Sequence, residues 1–178
     1  MTRLGKYLLL GSLLAIHVLA RSTHVSMTRS AVVGQTVPAV ELTGLDGKPT
    51  RMDIDAAAGA PHVLVFWASW CAPCRQELQV LQELARRGDP LFRVTAINFR
   101  EPVDLVREYV ERNDMTLTVA LDRSGEAARV LGVVGLPATV LVGVNGRSDW
   151  RSEGYRSDYP VQLERHVRLS WVLRNRLF

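Results

Sequence analysis

Cys71 and Cys74, the only cysteines among 178 residues, stand three positions apart in the run VLVFWASWCAPCRQEL from Val63 to Leu78. Two thiols at this spacing can close a disulfide on each other. A thiolate on the first can also attack a disulfide in another molecule, leaving the second to resolve the mixed intermediate. Three other readings of the pair are a static bond, two buried thiols, or half of a metal site. A closed zinc site needs four ligands, and His17, His24, His62 and His166 are scattered along the chain, each read as an ordinary surface or edge residue.

The neighbouring elements decide how reactive such a pair would be. Pro61 to Ala68 is continuously apolar, the pattern of a central strand covered on both faces. From Ala72 to Arg87 the apolar residues Leu78, Leu81, Leu84 and Ala85 recur at helical spacing, and Gly88-Asp89-Pro90 ends the element. Cys71 therefore falls where a strand passes into a helix. There, unpaired backbone N–H groups and the helix dipole stabilise an anion and lower a thiol pKa from about 8.5 toward 7 or below. Pro73 sits in the first turn, where its missing N–H costs no hydrogen bond and its ring stiffens the bridge between the sulfurs. Trp67, at the strand end, is read as a packing residue.

The rest of the chain supplies a frame for this junction. Asp46-Gly47 separates two short alternating runs and predicts an N-terminal hairpin. LFRVTAINF predicts a strand, PVDLVREYVER a helix with Val103, Val106 and Val110 on one face, and LTVAL a short strand. A short helix over Ser124 to Gly132, a strand over Ala138 to Gly143, a turn at Asn145-Gly146 and a return strand over Ser148 to Gly154 follow. A helix over Asp158 to Arg174 closes the chain, with Leu163, Val167 and Trp171 four apart. Alternation of this kind defines an α/β domain: a central mixed sheet, parallel strands plus a C-terminal antiparallel hairpin, with helices on both faces.

At 47% apolar and 22% charged residues, the chain suits one globular domain. Residues 1–20 carry Arg3 and Lys6 ahead of the apolar stretch Tyr7 to Ala20, the layout of an export signal that is either cleaved near Ala20 or retained as a membrane anchor. At 14 residues the stretch is shorter than the roughly 17–25 of a spanning helix. Residues 21–36 read as a polar tether and 37–178 as the domain. Without residues 1–20 the balance is 20 basic to 18 acidic side chains, scattered among one another with no run of five or six like charges, which argues against nucleic acid. Export implies a periplasmic or other extracytoplasmic setting in which disulfides persist. The basic C-terminal stretch RHVRLSWVLRNRLF is either a membrane-surface contact or a helix packing Leu163, Val167 and Trp171 on the sheet with its arginines in water.

FWASWCAPCRQE resembles the active site of the thioredoxin superfamily, and Leu136-Pro137 in VVGLPATVLVGVNGR looks like that superfamily's cis-proline segment. The helix and strand between TAINF and LDRSGEAARVLGV resemble the insertion of its exported TlpA/ResA/DsbE-like group. The resemblance spans about Val37 to Trp171 and implies a thioredoxin-like fold. It also implies a thiol-disulfide oxidoreductase, usually a reductase, as in cytochrome c maturation, that works without a cofactor. Its partners would be protein thiols and disulfides, with a membrane-embedded thiol protein as electron donor, and the protein would act as a monomer.

By the same resemblance Cys71 is the nucleophile and Cys74 the resolving thiol, while Trp70, Leu136 and Pro137 form the surface on which a substrate chain docks. Glu77 matches an acidic residue of the group. One turn beyond Cys74, it either exchanges a proton with the resolving thiol or is a solvated helix glutamate. Three positions depart from the pattern: Val65 replaces a buried Asp or Asn, Gln79 stands near a usual helix-kinking Pro, and Ala72 leaves the bridge uncharged. Glu101 is read as a solvated loop acid or a polar group near the site. Alternatives from other classes are a thiol peroxidase of the peroxiredoxin-related branch and an exported copper or other metal chaperone.

Overall fold

The computed structural model describes residues 33–52, 59–87 and 92–175. Residues 1–20, read as an export signal, most of the expected tether and the Gly88-Asp89-Pro90 stop lie outside these residues. Among the described residues no helix is long and apolar enough to cross a membrane.

Seven strands form one mixed sheet. In chain order the elements are β1 (Val40–Gly44), β2 (Pro49–Met52), β3 (His62–Trp67), α1 (Ala72–Arg86), β4 (Arg93–Phe99), α2 (Val103–Arg112), β5 (Thr118–Asp122), α3 (Glu126–Val130), β6 (Ala138–Val142), β7 (Ser148–Glu153) and α4 (Tyr159–Asn175). The spatial order is β2-β1-β5-β4-β3-β6-β7. β3, β4 and β5 run parallel, and the hairpins at either edge are antiparallel. The expected N-terminal hairpin turns at Asp46-Gly47, where Gly47 takes φ +80°, a conformation glycine adopts without a Cβ clash. Thr36 bridges to Arg147, so the chain entering β1 is pinned beside β7.

β3 is central because every one of its residues is buried. Its alternation splits the core. Val63, Val65 and Trp67 face a cluster with Leu78, Leu81 and Leu84 of α1, Val106 of α2, and Leu163 and Val167 of α4. Leu64 and Phe66 face Val40 and Leu42 of β1 and Ala127, Ala128 and Leu131 around α3. Helices therefore cover both faces, and α2 with β5 forms the expected inserted unit.

Two stripes differ from expectation. On α1 the inward face is Cys74, Glu77, Leu78, Leu81 and Leu84, whereas Ala85 is exposed. On α4 the buried stripe is Tyr159, Leu163, Val167 and Ser170, and Trp171 is only half-buried, displaced toward the edge by helical drift. Leu163 and Val167 pack on the sheet as the packing alternative required. α1 runs unbroken past the exposed Gln79. Leu81, with no solvent exposure, ties α1 to β3. Leu81→Ala is expected to lower unfolding free energy by about 2–5 kcal/mol, read from urea denaturation with an unchanged m-value.

Candidate active site

The chain leaves β3 at Trp67, turns through Ser69 and Trp70, and enters α1 with Cys71 as N-cap at φ −84°, ψ 100°. The Cys74 backbone N–H donates to Cys71 Sγ at 3.3 Å. Pro73 lies in the first turn, as the sequence indicated. Cys71 and Cys74 are joined in a disulfide with Cα atoms 5.3 Å apart. Both are buried, Cys74 completely and Cys71 to 4% exposure, so the first sulfur is the one nearer solvent. Reduction would place the Cys71 thiol at the helix N-terminus, where a thiolate is favoured.

Glu77 is not a solvated helix glutamate. It is 1% exposed, on the same face of α1 as Cys74 and one turn further on. Thr139 Oγ1 of β6 donates to Glu77 Oε1, and the Tyr159 hydroxyl of α4 lies 3.1 Å from Thr139 Oγ1. Burial raises the Glu77 pKa to about 7, against the opposing pull of the Thr139 and Tyr159 hydroxyls. Val65 is paired with Thr139 across β3 and β6. The acid or amide absent from the central strand thus has its polar counterpart on the neighbouring strand and on α1.

Glu101, read from sequence chiefly as a solvated loop acid, is 7% exposed. Its Oε2 accepts from the Ser69 N–H at 2.8 Å and from Asn98 Nδ2 at 2.6 Å, and its Oε1 accepts from Ser69 Oγ at 2.6 Å. Arg100, at φ +58°, reverses the chain just before it. The carboxylate thereby fastens the end of β4 to the turn that carries Trp70 and Cys71. Trp67 packs as expected, with its ring 4.9 Å from that of Tyr109.

Trp70, next to Cys71 in the chain, is 69% exposed, and Val134, three residues before Pro137, is 83% exposed. Leu136 is half-buried, and Pro137 is buried after a cis peptide bond. His62 departs from the surface reading: it is 7% exposed and bonds through Nε2 to Thr95 Oγ1 at 2.8 Å. Burial and the neighbouring Arg93 hold its pKa down at about 4. His166 stacks on Trp150 at 5.2 Å. Among the described residues no group of three or more His, Cys, Asp or Glu side chains is arranged to hold a metal ion.

Sequence reasoning missed Thr139, Tyr159, Asn98 and Ser69 as parts of the site. Two of them carried a signal. Thr139 is the one polar residue in the buried run ATVLV, and Tyr159 lies four before Leu163, in phase with the helix's apolar stripe.

A disulfide at a strand-to-helix junction beside a cis-proline segment, on a seven-stranded mixed sheet, defines a thioredoxin-like protein-disulfide oxidoreductase. The Redoxin family pattern matches residues 32–159. Thiol-disulfide oxidoreductase ResA of Geobacillus thermodenitrificans is 31% identical over 66% of this chain and 67% of its own length. Thiol:disulfide interchange protein DsbE of Vibrio cholerae is 30% identical over 83% and 80%. A Chlorobium tepidum structure described as a thiol:disulfide interchange protein DsbE superposes with TM-score 0.71 at 28% identity, covering 80% of this chain and 99% of that one. The chain belongs to the Redoxin family and, within the thioredoxin superfamily, is a TlpA/ResA/DsbE-like thiol-disulfide oxidoreductase.

The two buried titrating groups have opposite effects on stability. Glu77 keeps its proton to about pH 7 when folded but only to about 4.5 when unfolded, so its contribution is complete below 4.5 and is lost as pH rises toward 7. His62 stays neutral to about pH 4 when folded but protonates below 6.5 when unfolded, so its contribution is complete above 6.5 and is lost as pH falls toward 4. Between 4.5 and 6.5 the two oppose each other. In the oxidised protein Glu77→Gln is expected to expose a rise in stability of roughly 2–3 kcal/mol across that window, and His62→Gln a fall of the same size. Urea unfolding at the two pH values measures both. Separately, Glu101→Ala strands the Ser69 N–H and the Asn98 amide and is expected to lower the urea midpoint by the equivalent of about 2–4 kcal/mol.

Proposed function

We propose that the protein exchanges disulfides with protein substrates, with Cys71 as nucleophile, Cys74 as resolving thiol and Glu77 as the group that takes the resolving proton. The observation that carries this reading is a buried carboxyl, poised to ionise near neutrality, one helical turn from the inner cysteine of the disulfide. In the reducing direction the Cys71 thiolate attacks one sulfur of a partner disulfide and expels the other as thiolate. Cys74 then gives its proton to the Glu77 carboxylate and attacks Cys71 Sγ, releasing the partner's second thiolate. The partner disulfide gains two electrons, Cys71 and Cys74 lose them, and Glu77 returns its proton to the departing sulfur or to water. A base with a pKa near the working pH suits both steps.

Trp70, Leu136 and Pro137 would hold the partner's extended chain beside Cys71. Service as a reductase in an extracytoplasmic compartment, for example in cytochrome c maturation, rests on the resemblance to the TlpA/ResA/DsbE-like group and on the export-like residues 1–20. A membrane-embedded thiol protein would then re-reduce the pair.

Cys74→Ala leaves an attacking sulfur without its resolving partner. Expressed with its export segment, this variant is expected to accumulate mixed disulfides that dithiothreitol releases and that are absent from Cys71→Ala/Cys74→Ala. No adduct, together with a Cys71 inert to alkylation at pH 7, would overturn the reading.

A further inference from the structure

We propose that Thr139 and Tyr159 act as a pair of positioning residues, a hydroxyl chain reaching from the C-terminal helix through β6 to the Glu77 carboxyl, that sets the pH at which Glu77 gives up its proton. The inference rests on the reading of Glu77 as the proton acceptor and adds a control on it.

Three elements distant in sequence meet at this point. Glu77 comes from the inner face of α1, Thr139 from β6 and Tyr159 from the start of α4. All three side chains are essentially excluded from solvent, at 1%, 0% and 1% exposure. Packing alone asks for neither hydroxyl: Val140, Leu141 and Val142 continue the same strand as plain hydrocarbon, and phenylalanine has the shape of Tyr159. The groups acting on the carboxyl are Thr139 on the sheet and Tyr159 on α4, with Cys74 one turn back on the same buried face of its own helix. Tyr155 lies behind Tyr159, ring to ring at 6.1 Å. Among the described residues no arginine, lysine or histidine acts on Glu77, so burial and the two hydroxyls govern its ionisation.

The chain has a direction. Tyr159 is buried and close to an acid, which pushes its pKa well above the ordinary value and keeps its proton in place at working pH. Its O–H can therefore donate to Thr139 Oγ1, leaving the threonine proton to point at Glu77 Oε1. Each donation polarises the next, so the carboxylate is stabilised by both. Trp150, with its ring 6.1 Å from that of Tyr159, holds the far end of the chain.

The test is a titration of the oxidised full chain, in which no thiol ionises, with Glu labelled at the side-chain carboxyl carbon and followed by NMR. The wild-type Glu77 midpoint is expected near pH 7. Thr139→Val and Tyr159→Phe are each expected to raise it by about one pH unit or more, because each removes donation to a buried carboxylate. Thr139→Ser keeps the hydroxyl and is expected to restore the wild-type midpoint. Unmoved midpoints in both Thr139→Val and Tyr159→Phe would overturn the inference, as would a Thr139→Ser midpoint displaced as far as that of Thr139→Val. Failure to trap partners on Cys71 would remove the exchange reading without altering this titration.

Discussion

Glu77 loses its water on the inner face of α1, and the fold compensates with two hydroxyls and, among the described residues, no opposing charge. A buried carboxyl of this kind is costly when ionised, and that cost places its protonation near neutrality. Had an arginine faced it, the group would remain a carboxylate and could not hold a proton for a neighbouring thiol. Without the hydroxyls it would stay protonated and could not accept one. The chemistry assigned to the disulfide depends on this balance more than on the sulfurs themselves, since a disulfide of ordinary geometry forms wherever two cysteines can reach each other.

The sheet makes the balance possible by fixing three separate elements. β3 delivers the chain to the N-terminus of α1, and its burial on both faces leaves no slack at Trp67. β6, antiparallel to β3, sets Thr139 opposite Val65, and α4 closes over the same face with Tyr159. At the other side of the junction, the Glu101 carboxylate ties Ser69 to the end of β4. The turn carrying the exposed Trp70 is therefore held from behind while its front remains open to a partner. Glu101 and Glu77 are both buried acids but differ in company. Glu101 accepts three hydrogen bonds that fix the geometry of the turn, whereas Glu77 has only hydroxyls near it and is held close to neutrality in its titration.

Much of this was readable from local pattern. The apolar run before Cys71, the leucines of α1 and the Asp46-Gly47 and Asn145-Gly146 turns each follow from periodicity or turn chemistry within a short window, and they specify the sheet. The cysteine spacing, with its strand before and helix after, pointed to the pair that the structure joins in a disulfide. What the sequence concealed is long-range. Nothing near Glu77 says that residues 62 and 82 positions later will converge on it, and a lone glutamate on a helix reads equally well as solvated. Glu101 misled for the same reason, because Ser69, 32 positions earlier, is brought to it by the pairing of β3 with β4. His62 looked like an edge residue and is instead buried at the first position of β3, hydrogen-bonded through Nε2 to Thr95 on the adjacent strand.

In the proposed exchange a buried glutamate handles the proton of the inner thiol. The most direct measurement is the pH profile, from 5 to 9, of the rate at which the reduced protein reduces a model protein disulfide, compared between wild type and Glu77→Gln. Proton handling by Glu77 predicts a break in the wild-type profile near pH 7 that disappears in the variant, with a rate at neutral pH lower by about a hundredfold, the low end of general acid–base catalysis. Superimposable profiles for the two proteins would contradict it.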